Sequence, residues 1–328
     1  MSSPRKPRLG VVTSFHSNRD SLTTRNVSGP FSLAIPGRKS KRSSRPASIP
    51  LSIRPASSIY SQDQDFDELE DKDKIAPLKP AVIVAERPTR PHPENRQSRA
   101  LAAIVQHQDV KFTVIINPDD GPGNGTRPSA EYVDVLNALE VYPHVQTLGY
   151  VRTDRGTRDN ATVRAEIGKY SGWSKFQDLR LNGIFFDQTP YKDEGTASEY
   201  LRNISATVRH SKGFLEPALV VHNPGCVPDA SLVQYRTDMV VIFEGAYSDL
   251  PGREQLSNSV RELEKHSLHR QNFGLLIHTT PSNTGNVRLR KIVDNVRRSV
   301  EWVYITDLTE DVYGGYGSLW EKWLDLVW

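Results

Sequence analysis

Two carboxylates and an amide stand where apolar runs stop. Ile184-Phe185-Phe186 ends at Asp187-Gln188, and the run closing at Phe243 gives way to Glu244-Gly245. An apolar run of this kind is expected to be a strand buried on both faces. A carboxylate at its end opens onto the loop face, where ligands sit in α/β proteins. Two acids facing each other across such a mouth, ~5 to 9.5 Å apart, have the chemistry to cleave a glycosidic bond. One protonates the departing oxygen, and the other stabilises or traps the oxocarbenium-like centre. For Asp187 a second reading stands beside this one, that of N-cap to the next helix.

Further candidates lie at other strand ends. Tyr150, Tyr247 and Trp173 offer stacking surfaces for sugar rings, Asn117 and Asn223 offer partners for hydroxyls, and His222 completes the substrate-binding set. Ordinary packing competes for the aromatic residues and is preferred for Trp173. Turn formation beside Pro118 and Pro224 competes for the two asparagines, and for His222 and His278 a hydrogen-bonded structural role is preferred over a proton shuttle. No His/Asp/Glu spacing reads as a metal site, and no cofactor is expected. The glycine-rich GPGNG at 121–125 lacks the following Lys-Ser/Thr of a P-loop.

These residues need a scaffold that brings strand ends together. Strands are expected at Ala81–Ala85, Phe112–Ile116, Thr147–Val151, Gly183–Phe186, Ala218–Val221, Met239–Phe243, Phe273–Ile277 and Val303–Thr306. Helices are expected near 97–107, 129–140, 160–170, 195–210, 229–235, 253–266, 286–299 and 317–326. Ser129 stands in a cap position, and Val287, Leu289, Ile292, Val293 and Val296 are read as the apolar face of their helix. Strict β-α alternation implies parallel strands with right-handed crossovers. Eight units of this length match a (β/α)8 TIM barrel. An open doubly wound sheet is the alternative, but AVIVAERPTRP after the first strand lacks its glycine-rich phosphate turn.

The 328 residues carry a net charge of +3, unevenly spread. Residues 1–60 hold eleven Lys/Arg against one acid, Asp20, so the rest is mildly acidic and no nucleic-acid partner is expected. Residues 1–78, rich in Ser, Arg and Pro, are expected to be a disordered tail, and 79–328 the barrel domain. The tail repeats RPAS at 45–48 and 54–57, carries a basic Lys39–Arg42 cluster, and ends in an acidic patch at 63–73. Cys226 is the sole cysteine, so no intramolecular disulfide forms. Neither a signal peptide nor a membrane span is evident, and a cytoplasmic monomer is expected as the sequence stands, secreted if the true N-terminus differs.

The spaced motifs VIINPDDGPG (114–123), LGYVRTDRGTR (148–158), Tyr170/Trp173, GIFFDQ (183–188), HNPG (222–225) and DMVVIFE (238–244) resemble the spherulin-4 family, in order over about residues 80–328. The resemblance implies a (β/α)8 fold. It also implies a fungal, endo-acting glycoside hydrolase on α-1,4-linked N-acetylgalactosamine in galactosaminogalactan. The family pattern at strand four is Asp-Glu and at strand six Glu. Asp187 and Glu244 match, whereas Gln188 replaces the second acid and cannot carry charge. Three functions stay open: an active hydrolase weakened by Gln188, an impaired glycan-binding or structural relative, and an intracellular interaction protein regulated through its tail.

Overall fold

The computed structural model describes residues 81–86 and 96–327, apart from 177, 235, 236, 311 and 314. The expected tail, 1–78, lies outside them. Eight strands run in order: β1 Ala81–Glu86, β2 Lys111–Ile116, β3 Val145–Arg152, β4 Gly183–Asp187, β5 Leu219–Asn223, β6 Met239–Ala246, β7 Phe273–His278 and β8 Trp302–Ile305. Each pairs in parallel with its sequence neighbour, and β8 returns to β1, so the sheet closes into a barrel. The open sheet is thereby excluded. Among the described residues seven α-helices alternate with the strands: α1 Arg96–Gln106, α2 Ala130–Glu140, α3 Asn160–Gly172, α4 Ala197–His210, α5 Arg253–Glu264, α6 Asn286–Arg297 and α7 Trp320–Leu324.

The strands form where the apolar runs predict them, because a parallel strand under helices is buried on both faces. All of β4, GIFFD, is buried. The helices bury one stripe each; in α4 that stripe is Tyr200, Leu201, Ile204, Ser205 and Val208. Gly149 shows why β3 needs a residue without a side chain. A Cβ there would lie 2.7 Å from the Tyr170 ring, which α3 lays against the strand. The Tyr170 hydroxyl donates to the Ile116 carbonyl at 2.9 Å, and its ring meets Trp173 edge-on. Trp173 is thus a core residue, in keeping with the preferred reading.

Two expectations need correction. The segment 229–235 is no α-helix but a 3₁₀ turn, Ala230–Gln234, because Pro224, Gly225 and Pro228 leave room for little more than one turn before β6. Val287 is 75% exposed, while Leu289, Ile292, Val293 and Val296 are buried. Two residues of helix turn by ~200°, which takes Val287 off the face of Leu289. Ser129 occupies the N-cap of α2 as expected, without a side-chain capping bond to the helix backbone.

Candidate active site

Strand alternation decides which side chains enter the barrel. Arg152 pairs with Asp187, and Asp187 with Asn223, so these three share a face. Tyr150 lies two residues before Arg152 and joins them. Ile115 pairs with Leu148, which puts Asn117 on the same inner face. The end of β4 is tied down from both sides. Thr153 donates its N–H to the Asp187 carbonyl at 2.9 Å and its hydroxyl to the Gln188 carbonyl at 2.7 Å. Thr189 N–H reaches the Asn223 carbonyl at 2.9 Å. Gln188 leaves the strand with φ 50, a left-handed conformation that stops the ladder there.

Glu244 reaches the same face by a different device. Met239 and Val241 pair with Val221 and Gly274, on the inner face, so plain alternation would send Glu244 outward. A bulge between Val241 and Phe243 inserts one residue and turns Glu244 inward.

The inward groups form one network. The Asn223 Nδ2 donates to Asp187 Oδ1 at 2.8 Å and to Glu244 Oε2 at 2.6 Å. The Tyr150 hydroxyl donates to Asp187 Oδ2 at 2.7 Å. The Tyr313 hydroxyl, from the segment after β8, lies 2.7 Å from Glu244 Oε1. The Gly225 N–H donates to Asn223 Oδ1 at 3.0 Å, which fixes the amide so that its nitrogen faces the acids. Gly225 needs its freedom for this turn, with φ +71. Burial first, and then the Asp187 charge, push the Glu244 carboxyl up to about 7, against the two hydrogen bonds that lower it.

The remaining candidates fall elsewhere. Asp187 caps no helix, since the N-cap of α4 is Thr196. Tyr150 joins the site through its hydroxyl, not as a stacking surface; its buried ring lies on Phe185, with centroids 6.4 Å apart. His222 is the clearest correction. It precedes Asn223 and so faces outward, where its Nε2 meets Ser205 of α4 at 3.1 Å. Burial and then Arg209 push it down to about 3, so it stays neutral. Asn117 folds its own loop, with Oδ1 taking the Gly121 N–H at 2.8 Å, while its buried Nδ2 has no hydrogen-bond partner among the described residues. Tyr247 lies in a 3₁₀ turn at the rim, with the Arg288 guanidinium 5.9 Å from its ring centre. His278 is half-buried, with Nδ1 2.8 Å from the Thr279 hydroxyl.

Tyr313 is the member that strand reading missed, because it lies in a glycine-rich loop with no periodicity. The Tyr-Gly-Gly-Tyr-Gly run at 313–317, dense in aromatic residues next to the last strand, was the available signal. Among the described residues no cluster of three or more His, Cys, Asp or Glu is placed to hold a metal ion, and no helix is long and apolar enough to cross a membrane.

The model of spherulation-specific family 4 (Spherulin4) matches residues 89–327. The chain belongs to this family. Among solved structures, Sph3 of Aspergillus clavatus in complex with GalNAc is 31% identical, with a TM-score of 0.66, over 76% of this chain and 98% of that one. A tri-modular GH5 (subfamily 4) endo-β-1,4-glucanase from Bacillus licheniformis, complexed with cellotetraose, superposes with a TM-score of 0.51 at 8% identity. It covers 76% of this chain and 59% of that one, and at that identity it shows the fold alone. Comparison with curated proteins finds no match. As a spherulin-4 protein, the chain shares its barrel fold with Sph3 and with that endo-glucanase.

Proposed function

We propose that this spherulin-4 protein is a retaining glycoside hydrolase that cuts within an α-1,4-linked N-acetylgalactosamine polymer of the galactosaminogalactan type. The observation that carries the reading is the pair of acids on one nitrogen. With 2.8 and 2.6 Å bonds to Asn223, the nearest oxygens of Asp187 and Glu244 are at most about 5.4 Å apart. Retaining enzymes hold their carboxyl groups ~5–5.5 Å apart and inverting enzymes ~6.5–9.5 Å to admit a water, and one donor shared by both acids favours the shorter spacing. The GalNAc bound by Sph3 supports the sugar.

Roles follow from the surroundings. Glu244, pushed up to about 7, keeps a substantial protonated fraction at neutral pH and protonates the departing glycosidic oxygen. Asp187, whose negative charge helps raise Glu244, is held by the Tyr150 hydroxyl and the Asn223 amide, and it attacks the anomeric carbon as that bond breaks. A glycosyl ester on Asp187 results. Glu244, now ionised, takes a proton from the water that displaces the sugar and restores both acids. Asn117, Asn223 and Tyr247 remain candidates for contacting the sugar, and Gln188, beside Asp187, for its acetamido group.

The test is incubation with N-acetylgalactosamine polymer, followed by NMR of the first-formed reducing ends. Release of α-anomeric oligosaccharides is expected; β-anomeric products at first appearance would overturn the two-step route. Gln188 favours a second reading. The family's second acid is an amide here, which fits a relative that retains the polymer without cutting it; binding with no released ends would establish that reading instead.

A further inference from the structure

The segment after β8 is built to deliver one hydroxyl. Tyr313 is buried, and its ring lies 5.7 Å from that of Tyr304. The Tyr304 hydroxyl reaches the Val312 carbonyl at 3.3 Å, just before it. Beyond it, Arg99 of α1 donates to the carbonyls of Tyr316 at 2.9 Å and Gly317 at 3.1 Å, and pairs with Glu321. Asp307 holds the Ser318 hydroxyl at 2.6 Å and its N–H at 3.1 Å, and the Leu319 N–H at 3.2 Å. Tyr316 packs on Trp320, with centroids 4.5 Å apart. So many anchors leave the Tyr313 side chain little freedom, and its hydroxyl ends on Glu244 Oε1.

The two oxygens of Glu244 have partners of different kinds. Oε2 meets an amide nitrogen, which can only donate, so that oxygen must always accept. Oε1 meets a hydroxyl, which can donate or accept. We propose that Tyr313 is the positioning residue of Glu244: it accepts from the neutral acid at Oε1 and donates to the carboxylate once the proton has left. The proton is therefore confined to Oε1, and one hydroxyl rotation satisfies Glu244 in both states. The catalytic consequence rests on the glycosidase reading above; the hydrogen-bond switch does not. The groups facing Glu244 are Asp187 from β4, Asn223 from β5 and Tyr313, with Tyr304 of β8 behind Tyr313. Of the two bonds, the one given to the carboxylate is charge-assisted and the stronger, so loss of the Tyr313 hydroxyl costs the charged form more than the neutral one.

The experiment titrates Glu244 directly, by carbon-13 NMR of labelled glutamate carboxyls in the full chain, with Glu244→Gln for assignment. Tyr313→Phe should move the Glu244 midpoint upward. Fluorotyrosine at 313, a stronger donor that leaves packing almost unchanged, should move it downward, and so guards against a Phe variant that folds poorly. On the polymer, Tyr313→Phe should shift the alkaline limb of kcat/KM upward and lower its plateau by roughly 10-fold. Shifted midpoints in proteins that release no sugar would support the switch and refute the hydrolase reading. Midpoints unmoved by both replacements, whether or not polymer is cut, would overturn the role of Tyr313.

Discussion

On the β2–β3 side of the mouth, Asp120 and Asp154 flank Arg152 at 2.6 and 2.7 Å. On the β4–β6 side, Asp187 and Glu244 share the Asn223 amide and are held by two tyrosine hydroxyls. Both clusters place two acids at the same end of one barrel. In the first, a guanidinium supplies the compensating charge, so its acids serve the loop. In the second, the influences on Glu244 are burial, Asp187, Asn223 and Tyr313, none of them a cation. Neutral donors orient a carboxylate without cancelling it, and that leaves Glu244 able to exchange a proton. The difference separates acids that hold the structure from acids that can work on a substrate.

Breaking the pair that shares the Asn223 amide should have the largest effect. Asp187→Asn and Glu244→Gln should each lower polymer cleavage by roughly 10²–10⁴-fold, with melting temperatures not below that of the native protein. A variant that keeps more than a tenth of the native rate would remove its residue from the mechanism. Returning a carboxylate to the neighbouring position sharpens the comparison. Gln188→Glu should raise the rate by about 10-fold, since a second acid restores the family pattern beside Asp187. An unchanged rate in a fully active native enzyme would show that position to be dispensable. The smallest effect belongs to the compensated rim. Asp120→Asn keeps a residue type that tolerates its left-handed backbone, φ 52. It should leave kcat/KM near the native value and cost at most about 1 kcal/mol of stability, as part-exposed ion pairs do. A loss comparable to that of Glu244→Gln would erase the distinction between the two clusters.

The barrel was legible because eight apolar runs alternate with amphipathic segments, and parallel strands bury both faces. Asp187 was legible for the same reason, as the first charge after such a run. The side of β5 that enters the barrel was not read, although Asn223 and His222 are adjacent and only one of them can face inward; parity with Asp187 selects Asn223. Glu244 was located by its motif, but its orientation depends on the Val241/Phe243 bulge, and no period-two pattern announces an extra residue. Tyr313 was hidden because its position comes from Arg99, Tyr304 and Asp307, contacts distant in sequence or made within an aperiodic loop. The helix expected at 229–235 failed where proline and glycine crowd a short connection.

The central claim is that the mouth raises Glu244 from the ordinary carboxyl range to about 7, and its most direct test is the stability of Glu244→Gln against the native protein as a function of pH. The ordinary carboxyl value is 4.5 and the folded value about 7. Between these, the native protein keeps a proton that its unfolded chain has released, so native stability falls as pH rises through that window. The amide variant has no such proton to keep. Its melting temperature relative to native should be constant below 4.5, rise from there to about 7, and level off above, with a smaller rise in the Asp187→Asn background. A difference that stays flat across this window would contradict the account, because Glu244 would then titrate in the folded protein as it does in the unfolded chain.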